Sequence, residues 1–121
     1  MSRSVLLQLV RDSIAEVLQA QRTINKAKLL QEHPLLNQKI QTTVNLYIDQ
    51  ELRGSSSSQD NKKTLLESII YNAKKSAFED KNFTPITTSQ YLKSEIELIL
   101  NTSDGIISEK DPAILSSGDE R

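Results

Sequence analysis

Leu6, Leu9, Val10, Ile14, Val17 and Leu18 recur at helical spacing near the start of the chain. Steps of three and four residues gather such positions on one stripe of an α-helix. Ser4 is placed to cap it, so a helix is predicted from Ser4 to about Ala20. Arg3, Arg11, Asp12, Glu16 and Gln19 fall largely on the opposite, wet side. A shorter helix is predicted over 26–32 and ends before Pro34, because the residue preceding proline resists helical geometry. His33 is then an exposed residue at a helix end. Over 43–49 the period shortens to two: Val44, Leu46 and Ile48 alternate with Thr43, Asn45, Tyr47 and Asp49. That is the signature of a half-buried strand. Asp49 and Gln50 turn the chain back into Glu51, Leu52, Arg53 and Gly54, without the glycine that a tight primed turn prefers. Residues 55–60 hold no apolar side chain, and their run of serines predicts a flexible loop.

Helical spacing returns over 63–79. Leu66, Ile69, Ile70, Ala73, Ala77 and Phe78 line one face, with Lys62, Lys63, Lys74 and Lys75 toward solvent. The small side chains of Ala73 and Ala77 allow a neighbouring element to come close. A loop over 82–88 leads to a single helical turn capped by Thr88 or Ser89. Alternation resumes over 94–100, with Ile96, Leu98 and Leu100 set against Glu95, Glu97 and Ile99. That predicts a strand with one wet face. Beyond Asn101 the pattern fades, with turn signals at Asp104-Gly105 and Asp111-Pro112 and a frayed polar terminus over 116–121. The expected fold class is α+β: two long helices packed on a small, mainly antiparallel sheet. A domain over 1–100 precedes a weakly structured extension over 101–121.

Composition narrows the function classes. Fifteen basic and 16 acidic residues give a net charge of −1, which leaves no basic excess for a nucleic-acid backbone. No apolar run is long enough to span a membrane, and the first residues lack a secretory leader's pattern. A cytoplasmic location is the default expectation. Cysteine is absent and histidine occurs once, which argues against disulfides, thiol chemistry and a zinc site. No cofactor is expected, because neither a G-x-x-x-x-G-K-[ST] nor a G-x-G-x-x-G loop occurs. Lys62 and Lys63 after the serine run could attract an anion, but solvated lysines at a helix start explain them equally well.

Glu95 and Glu97 share a strand face about 6–7 Å apart, a separation that suits acid–base work and equally suits any solvated strand. Asn72 lies near the buried stripe of its helix, where its amide must find partners. One expectation is a bond to the backbone of the 53–55 strand end. The other is a small polar cleft lined by Asn72, Arg53 and Glu97, in which Arg53 offers a fork of donors to a carboxylate or phosphate. Asp80 is placed to bond loop amides and clasp the helix to Phe83.

Two stretches carry a resemblance. One is Leu52-Arg53-Gly54. The other is Asn72-Ala73 with Ala77-Phe78, Asp80, Phe83 and Pro85. Together they resemble the AMMECR domain family, whose members read Leu-Arg-Gly-Cys-Ile-Gly and then Asn-Ala-x-x-Ala-Phe-x-Asp-x-Arg-Phe-x-Pro. The likeness runs from about Val5 to Leu100 and implies an α+β domain. Serines replace Cys-Ile-Gly here, Asn82 stands for the arginine, and family domains continue further. Ser55 occupies the cysteine position, without a recognisable base to activate it. No cysteine, a single histidine, no metal cluster, no phosphate loop and serine at the cysteine position favour a binding or adaptor module, with Arg53, Gly54, Ser55, Asn72 and Glu97 as candidate binding residues and no catalytic or metal-binding set. The alternative is an enzyme component using the Arg53, Asn72 and Glu97 cleft. Memo-type and radical-SAM proteins are the partners that the resemblance suggests. Self-association through sheet left uncovered beyond Leu100 is a further expectation.

Overall fold

The computed structural model describes residues 3–115. Helix α1 spans Val5–Gln19, with Ser4 accepting a hydrogen bond from the Leu7 N–H, and it ends on Ala20 in the left-handed conformation. Helix α2 spans Lys26–Glu32 and is capped by Asn25; a 3₁₀ turn, Pro34–Asn37, follows. Strands β1 (Gln41–Ile48) and β2 (Glu51–Ser57) form a hairpin. Helix α3 (Leu65–Phe78) is capped by Thr64, and the short α4 (Thr88–Leu92) is capped by Thr87 rather than by Thr88 or Ser89. Strands β3 (Glu95–Thr102) and β4 (Gly105–Asp111) complete a four-stranded antiparallel sheet of order β2-β1-β3-β4. The fold is α+β. No helix among the described residues is long and apolar enough to cross a membrane.

Helices α1 and α3 cover one face of the sheet. Val44, Leu46, Ile96, Leu98 and Leu100 point into that layer and meet Leu9, Val10, Ile14, Leu66, Ile69 and Ala73. The other face of the sheet carries Thr43, Asn45, Tyr47, Glu95, Glu97 and Ser108, none of them fully buried.

Three local expectations are corrected, and a turn type left open is resolved. First, Ser55, Ser56 and Ser57 belong to β2 rather than to a loop, paired with Asn45, Val44 and Thr43. Their short hydroxyls fit a strand because β1 and α3 supply hydrogen-bond partners. Second, the weak pattern over 101–121 hides a strand. Asn101 and Thr102 extend β3, and 105–111 form β4 across a two-residue turn at Ser103-Asp104. The expected frayed terminus over 116–121 lies outside the described residues. Third, Arg11 is fully buried instead of facing water, while Val17, assigned to the buried stripe, is exposed. The Asp49-Gln50 turn adopts positive φ at both residues (52° and 70°), the primed geometry that matches strand twist, without glycine.

Candidate functional site

The residues of the two motif stretches serve different ends. Gly54 packs beneath α3. A Cβ built there would lie 2.1 Å from the Ser76 carbonyl oxygen, so the helix backbone rests directly on the strand. Ala73 and Ala77, both buried, permit the same close approach. Asn72 is fully buried in this helix–sheet layer. Its Oδ1 accepts from Ser56 Oγ (2.7 Å), while its Nδ2 donates to Thr42 Oγ1 (2.9 Å), Ser58 Oγ (3.1 Å) and the Thr42 carbonyl (3.2 Å). Thus Asn72 bonds a backbone group, as expected, but that of Thr42 on β1 and not that of 53–55. Both ends of its amide are used within the protein.

Arg53 owes its direction to a bulge. Leu46 pairs with Gly54 and Tyr47 with Leu52, which leaves Arg53 as the extra residue of β2. Its guanidinium lies 5.0 Å from the centre of the Phe83 ring. Nη2 donates to the Thr84 carbonyl (2.8 Å) and to Gln90 Oε1 (3.2 Å), and Nη1 is buried with no partner among the described residues. Asp80 closes the same corner. Its Oδ2 accepts from the Ser55 N–H at 3.0 Å and its Oδ1 from the Asn82 N–H at 2.8 Å, while the Phe83 N–H donates to its carbonyl. The expected clasp between α3 and Phe83 is therefore present, and it also covers the outer edge of β2.

Ser55 and Glu97 face the other way, onto the open side of the sheet. Ser55 Oγ donates to Asn45 Oδ1 (2.6 Å), and Asn45 Nδ2 donates to Glu97 Oε1 (3.0 Å). Tyr47 OH also donates to Glu97 Oε1 (3.2 Å), and Ser108 Oγ reaches Oε2 (3.4 Å). The strip is direct because Asn45 lies opposite both Ser55 and Glu97, and Glu97 lies opposite Lys110. The Asn45 amide pulls the Glu97 carboxyl below its usual range, against a smaller opposing push from burial, with help from Tyr47, Lys110 and Ser108. Burial, then the neighbouring Glu97, pushes the Tyr47 phenol upward. Ser55 has a carboxamide oxygen as its partner, and among the described residues no base bonds its hydroxyl.

The predicted cleft therefore does not assemble. Asn72 points into the helix layer, Glu97 faces the open side, and Arg53 is held at the corner by Phe83 and Gln90. Asn45, Tyr47 and Ser108 join the open-face group, although no motif marks them. The β1 alternation turns Asn45 and Tyr47 to the wet face, but only the strand register sets them beside Glu97. Beside this strip, Gln41, Thr43, Ser57, Ile99, Asn101 and Ile106 line a shallow cavity of about 260 Å³.

The model of the AMMECR1 family matches residues 7–112, a span that includes all of β4. Among solved structures, the uncharacterized protein PH0010 from Pyrococcus horikoshii is similar at 26% identity and a TM-score of 0.70. The likeness covers 78% of this chain and 48% of that one, so the chain spans about half the length of that relative. No curated protein matches.

Proposed function

Since the chain belongs to the AMMECR1 family, we propose that it is a binding or adaptor module whose open sheet face, centred on the Ser55–Asn45–Glu97 strip, receives a partner protein. The observation that carries this reading is the separation of Asn72 from Glu97 on opposite sides of one sheet. A shared catalytic cleft needs these groups within reach of one substrate atom. Glu97 is ionised and surrounded by donors, which suits a fixed recognition charge better than a base that must exchange protons. The alternative of an enzyme component working through Arg53, Asn72 and Glu97 has no such convergence behind it. Memo-type and radical-SAM proteins remain the partners proposed from the family resemblance.

Co-expression with those two proteins from the same source, followed by affinity purification and titration, tests the reading. Capture of either is expected, weakened at least tenfold by Glu97→Arg, with Lys75→Glu on α3 as an unaffected control. Capture that ignores Glu97→Arg, or turnover of a small molecule that depends on Asn72 and Glu97 together, would overturn it.

A further inference from the structure

The two edges of the sheet are treated differently. At β2 the Arg53 bulge interrupts the strand and the Asp80 carboxylate occupies the Ser55 N–H. Bulges and covering groups of this kind blunt an edge against pairing with other chains. Among the described residues β4 has neither. Its register with β3 runs unbroken from Thr102↔Gly105 to Ile96↔Asp111. With a two-residue turn, Thr102 and Gly105 are the first hydrogen-bonded pair, so the alternate residues Ile106, Ser108 and Lys110 aim their N–H and C=O groups outward. Among the described residues no other segment bonds to those outward backbone groups. Ile106 and Ile107 on this bare edge are 73% and 50% exposed, and no proline interrupts the strand.

We propose that β4 pairs antiparallel with the β4 of a second copy of this chain, joining two four-stranded sheets edge to edge. The strand is self-complementary about Ser108. A two-fold axis there sets Ile106 opposite Lys110 and Ile107 opposite Glu109, with Ser108 opposite itself, so no like charges face each other. The Lys110 stem then covers Ile106 on the open face, and each outward backbone group of Ile106, Ser108 and Lys110 gains a partner. A lysine on a free edge ordinarily discourages pairing; in this register it meets an isoleucine instead of another lysine. Glu109 and Asp111 are already engaged by Ser4 and by Arg3 and Arg11 of their own chain, so they add no free charge to the seam. The inference rests on β4 alone and stands apart from the adaptor reading.

Light scattering on the purified full chain over a dilution series tests it, with no partner added. A dimer that dissociates on dilution is expected. Ser108→Pro removes an outward N–H and leaves the β3 ladder intact, and Ile106→Lys sets lysine against Lys110. Each is expected to give a monomer with unchanged far-ultraviolet circular dichroism. If Ser108→Pro does not fold, Ile106→Lys decides. A wild-type chain that stays monomeric at every concentration, or a dimer that survives Ile106→Lys, overturns the proposal.

Discussion

Arg11 and Asp111, 100 residues apart in the chain, form a buried ion pair with Nε and Oδ2 2.6 Å apart. The guanidinium also donates to the Ser94 carbonyl (2.9 Å) and the Pro112 carbonyl (3.0 Å) and lies 5.2 Å from the centre of the Tyr91 ring. Arg3 supplies a second cation to Asp111 at 3.0 Å. The pair ties α1 to the end of β4 and so fixes the last strand to the helical layer.

Removing one partner of such a pair leaves an uncompensated charge inside the protein. Asp111→Ala is expected to destabilise the fold by about 3–5 kcal/mol. Replacing both by apolar residues, Arg11→Met with Asp111→Leu, is expected to recover most of that loss, since the buried charge goes as well. Urea unfolding of the single and double variants measures both. A single variant within about 0.5 kcal/mol of wild type would show that the pair does not hold β4.

Gly54 tests the other seam. A methyl group added there would sit 2.1 Å from the Ser76 carbonyl oxygen, so Gly54→Ala forces α3 away from β2. The obstacle is backbone and cannot rotate aside. A loss of about 1–3 kcal/mol is expected from overpacking of this kind. It should also loosen the Asn72 network, because Asn72 bonds Ser56 two residues along the same strand. Chemical denaturation gives the first quantity, and faster amide exchange at Ser56 and Ser58 reports the second.

The helices and strands β1 and β3 were legible because each shows a strong period. Leu66, Ile69, Ile70 and Ala73 mark one helical stripe, and Val44 and Leu46 or Ile96, Leu98 and Leu100 mark strand faces. The serine strand was not legible, since its hydroxyls are satisfied by partners distant in sequence, such as Asn72 and Asn45. Strand β4 was hidden for a similar reason. It lies at an edge, most of its residues are exposed, and its alternation carries little apolar contrast. Arg11 reads as a surface residue because charge suggests solvent, and its counter-ion lies at the far end of the chain. The motif residues were recognisable, but whether Arg53, Asn72 and Glu97 meet depends on strand facing and on the bulge at Arg53, which a one-residue shift in pairing reverses.

The β1–β2 turn offers a gain in stability. Asp49 and Gln50 both hold positive φ, which costs an L-residue about 1–2 kcal/mol relative to the right-handed region. Gln50→Gly removes that strain and yields the Asp-Gly pair that primed turns favour. Glycine's greater freedom in the unfolded chain offsets part of the gain. The net effect is expected to be a stabilisation of about 0.5–1 kcal/mol, read as a higher melting temperature with the same fold. A lower melting temperature would mean that Gln50 is not in the left-handed region.

Acid stability should depend on Glu16. Burial pushes its carboxyl upward, but the Ile24 N–H (2.8 Å), Lys74 Nζ (3.1 Å) and the Thr23 N–H (2.7 Å) outweigh that push and hold it below its usual 4.5. The folded state therefore releases this proton more readily than the unfolded chain does, and over that window the unfolded state binds more protons. Stability gained from the group is fully present above pH 4.5 and is lost as pH falls through the lowered folded value. Glu97 shifts in the same direction, led by the Asn45 amide, and adds to the same acid limb. Glu16→Gln keeps an acceptor for the loop amides while removing the charge that pairs with Lys74. It is expected to lower stability at neutral pH and to flatten the loss below pH 4.5, because the variant has no proton to take up there. Urea midpoints measured from neutral to acidic pH separate the two effects. Parallel curves for wild type and Glu16→Gln would show that the Glu16 charge does not contribute to the acid limb.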